Sequence, residues 1–479
     1  MKTRHFGIGI VLFIFTLIFL EIPDYPKAGK MASICILMAY WWFTEAIHFA
    51  ITALLPLILF PILGIESTKN IATEYMDSII FLFIGGFFFA FAIQKWNLHH
   101  RFALTLLTLS GKTLHSALLA VLIASFFISM WISNTATVLL LLPAVLAIYQ
   151  KIQNVEANQE KNYPISSAFL IGLSYASTIG GMVTLVGTPT NMIFFKEFTQ
   201  HYPHAEMNFL TWFLWCSPIS FLLLFFLYLF LKFNFLPHQK ITFNTEVFRS
   251  ELQTLGKWKK EEKIVAFLFL ITVFLWFTRA DINLGSWSWK GWASMFFNKD
   301  WINDSTVILA TSLLLFFIPD KQNKSQILTW QDVKELPLDI ILLFGGGFAL
   351  ARGFEISGLS EWIASQINFF VSLPLWAFLL LMTLLITIIS EFASNVACIQ
   401  LMLPIIISLQ HQNALSPLTF TLPATLAASL GFMLPVATAP NTIVYGTQLI
   451  PVKNLLKIGL IMDLTGILLI SWWIYLFLT

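Results

Sequence analysis

Charge is what this sequence of 479 residues has least of. Asp, Glu, Lys and Arg together make up 11%, against roughly 25% in an ordinary soluble domain. With 27 basic and 25 acidic residues the net charge is +2, and no basic stripe with interleaved aromatics offers a footprint for nucleic acid. Cysteine is nearly absent too. Cys35, Cys216 and Cys398 stand singly in apolar runs with no CxxC pair, so neither a disulfide framework nor a thiolate metal centre is indicated, and they read as packing residues. A cleavage site is also missing. Lys2 and Arg4 before the apolar run Phe6 to Leu20 imitate a signal peptide, yet no small-x-small site precedes Glu21-Ile22-Pro23, so the run reads as an uncleaved first helix. No constellation of His, Cys or carboxylates has catalytic spacing, which argues against an enzyme.

What is abundant is apolar: 58% of the residues are hydrophobic and 16% aromatic. At roughly 20 residues per span, the chain reads as an all-α polytopic membrane protein. Apolar runs with their Pro, Gly and charged punctuation predict eleven crossings, at 6–22, 31–47, 50–64, 78–95, 165–195, 208–231, 264–278, 305–319, 337–354, 418–450 and 458–478. Two further stretches, 115–150 and 373–410, are interrupted mid-run by Ser-Asn and read as re-entrant helical hairpins, since non-helical backbone at that depth needs protein or a water-filled cavity around it. With the N-terminus cytoplasmic and the C-terminus outside, each hairpin returning to its own side, most basic residues fall in the cytoplasm, as the positive-inside rule requires. A full crossing at 115–150 would instead split Lys95 to Lys112 from Lys151 to Lys161 across the membrane.

An internal repeat supports the hairpins. Ile79 to Ala90 lies over Ile340 to Ala351 at an offset of 261 residues with eight of twelve positions identical, and the same offset lays Ser129, Ser133-Asn134 and Pro143 over Ser390, Ser394-Asn395 and Pro404. The predicted organisation is a first helix and outer loop (1–30), one repeat (31–235), an amphipathic cytoplasmic linker (236–263) carrying Glu251, Glu261 and Glu262, and a second repeat (264–479). By the helix count the repeats are inverted, which is a transporter architecture. In 165–195 and 418–450, Ile179-Gly180-Gly181 to Thr188-Pro189-Thr190-Asn191 and Leu430-Gly431 to Thr438-Ala439-Pro440-Asn441 disfavour continuous helix. Each span reads as two half-helices joined by an unwound loop.

Four interruptions meeting at mid-membrane leave free carbonyls on some helix ends and free N–H groups on others. Carbonyls with Ser and Asn oxygens suit a hard cation such as sodium, and helix N-termini with Asn or Thr donors suit an anion. The four motifs hold no Arg, Lys or His, so a dianion there needs the cations to offset its charge, a physical reason for coupling. A lone Ser or Asn in a membrane helix usually serves as interhelical glue worth about 0.6 kcal/mol; the repetition of the pattern is what marks a site. Close helix packing explains Gly85-Gly86 and Gly346-Gly347. Among Glu45, Asp77, Asp339, Glu391 and Asp463, ionisable groups in or beside apolar spans, Glu391 stands nearest a hairpin tip. His99-His100-Arg101 reads as a solvated face, and Trp287, Trp289, Trp292 and Trp301 as interfacial anchors of an outer loop.

With Met130-Trp131-Ile132-Ser133-Asn134-Thr135-Ala136-Thr137, Glu391-Phe392-Ala393-Ser394-Asn395-Val396-Ala397, the loops ending at Asn191 and Asn441, and Trp41-Trp42-Phe43-Thr44-Glu45-Ala46, the chain resembles the divalent anion/sodium symporters, the sodium-coupled dicarboxylate and citrate carriers, over nearly its full length. The resemblance implies at least two sodium sites: Ser129, Ser133 and Asn134 with the backbone of Gly187, and Ser390, Ala393 and Asn395 with the backbone of Ala437. It implies a dicarboxylate held by Asn134, Thr135 and Thr188 from one repeat and by Asn395, Val396, Thr438 and Pro440 from the other. Val396 departs from the pattern, because it offers no hydroxyl where other members have Thr. The family further implies a homodimer working as an elevator; the expected activity is import of succinate, malate and fumarate across a bacterial cell membrane, an origin that the short loops suit. The rival readings are a sodium-independent dicarboxylate exchanger, a citrate or sulfate carrier, and an anion channel.

Overall fold

The computed structural model describes residues 2–111, 113–155, 163–205, 207–237, 246–284, 287–320, 325–367, 373–413 and 415–478. Lys112 and Lys161, which the topology argument used, and 238–245 of the expected linker lie outside the described residues. The chain begins with α1 (Lys2–Phe19), α2 (Ala28–Thr44), α3 (Phe49–Thr52), α4 (Leu55–Ile62) and α5 (Thr68–Glu74). Then come α6 (Ser78–Lys95), α7 (Leu98–Leu109), α8 (Leu114–Ser129), α9 (Asn134–Val155), α10 (Tyr163–Gly181), α11 (Pro189–His201) and α12 (Phe209–Phe235). After α13 (Glu246–Thr254), α14 (Lys260–Thr278) and α15 (Asp304–Phe317) follow α16 (Leu338–Ser357), α17 (Leu359–Ile367), α18 (Leu375–Phe392), α19 (Asn395–His411), α20 (Leu418–Ala428), α21 (Ala439–Gly446) and α22 (Val452–Leu478).

Helix starts follow local chemistry. The Asp77 carboxylate accepts from Ile79 N at the head of α6, Thr113 and Ser116 form a reciprocal capping box on α8, and Ser394 caps α19, each satisfying donors that the helix leaves orphaned. Pro189 and Pro440 sit in the first turns of α11 and α21, where a missing N–H costs nothing. Five helices among the described residues are long and apolar enough to cross a bilayer, including α12 and α22 at 27 residues each. Most of the remaining apolar helices are shorter because hairpin arms and half-helices stop at the interruptions.

The structure corrects three expectations. Residues 50–64 are not one straight span: α3 and α4 have four and eight residues. Even α4 is only about 12 Å long at 1.5 Å per residue, far short of the roughly 30 Å bilayer core. The linker is shorter than 236–263, because Glu261 and Glu262 lie buried in the first turn of α14. The fold is all-α apart from two small antiparallel pairs, β1 (Ile282–Leu284) with β2 (Trp287–Trp289), and β3 (Pro319–Asp320) with β4 (Ser325–Gln326).

The third concerns His99-His100-Arg101, which is no solvated face. Arg101 is buried, its Nε 2.8 Å from Glu262 Oε2, and Nη1 and Nη2 donate to the carbonyls of Gly256 and Leu255 at 2.9 and 3.2 Å. His100 stands 3.3 Å from Glu251 of α13. Helical periodicity turns adjacent polar residues to different faces, and here those faces bolt α7 onto the linker.

The glycine pairs serve close packing. A methyl on Gly85 would come within 2.8 Å of Ile308 of α15, and one on Gly346 within 2.5 Å of the Ala53 carbonyl.

Candidate functional site

Four helices end and four begin around one region. α8 and α18 stop at the hairpin tips where α9 and α19 start, and α10 and α20 stop at unwound loops (182–188 and 429–438) where α11 and α21 start. The elements interlock across the repeats: α21 packs on α9, α11 on α19, α10 on α21 and α11 on α20. Two buried contacts join the broken helices, Ser174 Oγ to Asn441 Oδ1 at 2.6 Å and Thr190 Oγ1 to Ser429 Oγ at 3.0 Å.

At the first tip Ser129 donates to Asn134 Oδ1 at 2.6 Å. Gly181 lies against the same amide, so close that a methyl there would stand 2.5 Å from Asn134 Oδ1, and Gly187 lies on the Gly181 carbonyl. The second tip is built alike. Ser390 donates to Asn395 Oδ1 at 2.9 Å and to the Ala428 carbonyl at 2.6 Å, and Gly431 lies beside Asn395, Ala437 and Thr438. The structure thus brings Ser129, Asn134 and Gly187 together in one cluster and Ser390, Asn395, Ala437 and Thr438 in another.

The loops share one fastening. Asn191 Nδ2 donates to the carbonyls of Gly181 and Thr184 at 2.9 and 2.7 Å, ten and seven residues back. Asn441 Nδ2 donates to those of Gly431 and Leu434, again ten and seven residues back, both at 3.2 Å. Each buried amide so ties two carbonyls of the interruption together, of which those of Thr184 and Leu434 also accept from Gly187 N and Ala437 N, both at 3.2 Å.

Exposure sorts the residues by depth. Ser129, Ser390 and Ala393 are buried, Ser133 is exposed, and Asn134, Thr135, Thr188, Asn395, Val396 and Thr438 are half-buried. Thr188 makes no side-chain cap bond at the head of α11, whereas the Thr438 hydroxyl accepts from Asn441 N at 3.3 Å. Pro440 is buried in the first turn of α21. A cavity lined by Trp131, Ser133, Gly187, Pro189 and Met192 separates the first cluster from Phe83, Phe87 and Gln94 of α6. Among the described residues no group of three or more His, Cys, Asp or Glu side chains could hold a metal ion. Hydroxyl, amide and carbonyl oxygens form the donor set, which suits a hard monovalent cation.

The family described as the sodium:sulfate symporter transmembrane region matches residues 2–479. The chain belongs to this family, the divalent anion/sodium symporters. A sodium-dependent dicarboxylate transporter of Staphylococcus saprophyticus, SdcS, is 35% identical over 476 residues, covering 98% of this chain and 90% of its own. The SdcS of Staphylococcus aureus strain NCTC 8325 is 34% identical, with 98% and 89% covered. Two solved transporters share the fold at low identity. Neisseria gonorrhoeae MtrF, from a class of antimetabolite efflux pumps, has a TM-score of 0.58 at 10% identity over 99% of this chain and 95% of MtrF. Alcanivorax borkumensis YdaH has 0.56 at 12% over 94% and 98%. The relatives are transporters, and this protein is not an enzyme.

Glu391, singled out by sequence, holds backbone. Its carboxylate oxygens accept from Met433 N and Leu434 N at 2.7 and 2.8 Å and so pin the second loop. Asp463 of α22 reaches the same loop at Phe432 N, 3.4 Å away. The other acidic candidates stand away from the clusters: Glu45 is exposed at the end of α2, Asp77 caps α6, and Asp339 opens α16. Sequence reasoning passed over Thr184, whose hydroxyl donates to the Met130 carbonyl and ties the first loop to the first tip. It also gave Asn191 and Asn441 no role, although both follow a loop Thr by three residues, the one signal available.

Proposed function

We propose that this chain is a sodium-coupled symporter that imports C4-dicarboxylates such as succinate, malate and fumarate. The observation that carries the reading is the paired Ser–Asn clusters at eight helix ends, with no basic side chain in either; the sodium-dependent dicarboxylate transport of its relatives agrees with it. One sodium binds Ser129, Ser133 and Asn134 with the Gly187 backbone, and a second binds Ser390, Ala393 and Asn395 with the Ala437 backbone. The dianion lies between them on Asn134, Thr135, Thr188, Asn395 and Thr438, with Val396 and Pro440 as its apolar border. Two sodium ions and four helix N-termini offset its charge in a site of low dielectric. The protein sits in the cell membrane as a homodimer with inverted repeats, N-terminus cytoplasmic and C-terminus outside.

Succinate uptake into proteoliposomes under a sodium gradient, against matched potassium and proton gradients, tests the coupling. Competition by malate but not by citrate or sulfate fits the substrate, whereas uptake indifferent to sodium but stimulated by preloaded dicarboxylate replaces the reading with exchange. Val396→Thr adds a hydroxyl at the substrate border and is expected to change the ranking of competing dianions while sodium dependence persists. An unchanged competition profile removes Val396 from the contact.

The site crosses the membrane by an elevator motion in which the tips and broken helices slide past α6. A Cβ on Gly86 of α6 would lie 3.8 Å from Val186 Cβ in the first loop, within the range that a disulfide bridges. In a background without Cys35, Cys216 and Cys398, oxidised Gly86→Cys/Val186→Cys is expected to lose uptake and regain it on reduction. Full uptake by the cross-linked protein would refute the elevator.

A further inference from the structure

Two adjoining hollows on the α7–α14 side lie outside the two Ser–Asn clusters. The deeper one is almost wholly apolar. It is lined by Leu98 and Phe102 of α7, Phe127 at the end of α8, Trp131 and Ile132 at the first hairpin tip, and Phe269 of α14. The shallower one is lined by Arg249, Leu252, Gln253, Gly256 and Lys257. Arg101, Thr105 and Trp258 line both and form the step between them.

The charges at the step and the rim differ. Arg101 is spent on Glu262 and the carbonyls of Leu255 and Gly256. Arg249 and Lys257 are exposed and form no ion pair among the described residues. Trp258 is half exposed, with the Arg101 guanidinium 5.3 Å from its ring, the placement of an interfacial aromatic anchor. A slot with an apolar floor and two uncommitted cations above an indole matches a molecule with a hydrocarbon tail and an anionic head.

We propose that this slot is a binding site for an anionic phospholipid of the cytoplasmic leaflet, its headgroup on Arg249 and Lys257 and one acyl chain against Trp131. The side of the membrane rests on the orientation given under Proposed function. Amphipathic α13 turns Phe248 inward, fully buried, and Arg249 outward, so the linker presents the cation at the mouth. A zwitterionic lipid fills the floor equally well and gains little at the rim, which makes the site selective for charge. The floor reaches function through Trp131, which packs edge-on against Phe269 at 4.9 Å and lies two residues from Ser133. A chain seated there bears on the first tip.

Native mass spectrometry of the full chain, equilibrated with equal phosphatidylglycerol and phosphatidylcholine, reads the preference without any transport. A basic side chain beside an anionic headgroup contributes about fivefold in affinity, and two contribute about thirtyfold. The wild type is expected to retain phosphatidylglycerol preferentially, and Arg249→Ala/Lys257→Ala to lose most of that preference. Ala266→Phe, which fills the slot and leaves the rim intact, is expected to lose retained lipid as well. Inorganic phosphate, a head without a tail, is expected not to compete. Equal retention of the two lipids by the wild type, undiminished binding in Ala266→Phe, or displacement by phosphate would each overturn the site. Because retention is scored apart from uptake, its failure is distinguishable from a failure of sodium coupling.

Discussion

Asn134→Ala and Asn395→Ala are each expected to lower sodium-driven uptake by at least about 100-fold, with the protein still folded. Each amide oxygen accepts from a buried Ser at the end of the preceding helix, Ser129 at 2.6 Å and Ser390 at 2.9 Å, and each faces a Gly at the start of a loop. Ala at either position removes the partner of the buried Ser and, in the proposed site, the oxygen assigned to the ion and the donor assigned to the dianion. Loss of a group that merely orients a metal ligand costs about 10- to 100-fold in affinity, and removal of a ligand shared between ion and substrate should exceed that. The check is initial-rate uptake by purified variants with matched elution profiles. A variant within threefold of wild type would show that its amide touches neither ion nor substrate. Ser129→Ala and Ser390→Ala retain the amide and are expected to fall between these limits.

How far the site was legible follows from what a membrane forbids. In an apolar run the backbone has no partner but itself, so Gly, Pro and Asn at 180–191 and 431–441 announce where helix stops, and the structure ends α10 and α20 there. The offset of 261 residues was visible because the starts of α7, α8 and α9 at Leu98, Leu114 and Asn134 fall that far ahead of those of α17, α18 and α19. The fastening of the loops was not legible. Asn191 and Asn441 close repeated loop motifs but carry no charge, and only coordinates reveal that each binds carbonyls ten and seven residues back. Long-range ion pairs were invisible for a related reason. Arg279 reaches Asp304 at 2.6 Å, and Asp304 accepts from Phe209 N at 2.9 Å, joining the ends of three helices that the sequence separates by up to 95 positions. Residues 50–64 misled because Pro56 and Pro61 look like punctuation within a span, whereas Pro56 opens a second short helix.

Arg101→Ala should be the most destabilising substitution outside the transport site. Arg101 and Glu262 are 5% and 3% exposed, and removing the guanidinium leaves a carboxylate with its partner gone in a place water does not reach. Breaking a buried pair from one side costs about 3–5 kcal/mol, whereas replacing both partners with apolar side chains of similar volume is often neutral. Two carbonyls go unpaired as well, those of Gly256 and Leu255. Gly256 has a φ of +68, the left-handed conformation that favours glycine, and its N–H donates to the Gln253 carbonyl at 3.0 Å, so Arg101 braces a turn between α13 and α14 that also has a backbone hydrogen bond. The expected order of thermal stability in detergent is therefore wild type, then Arg101→Met/Glu262→Leu, then Arg101→Ala as the lowest. If the double variant were as unstable as the single one, lost packing and the turn, not the stranded charge, would account for the effect.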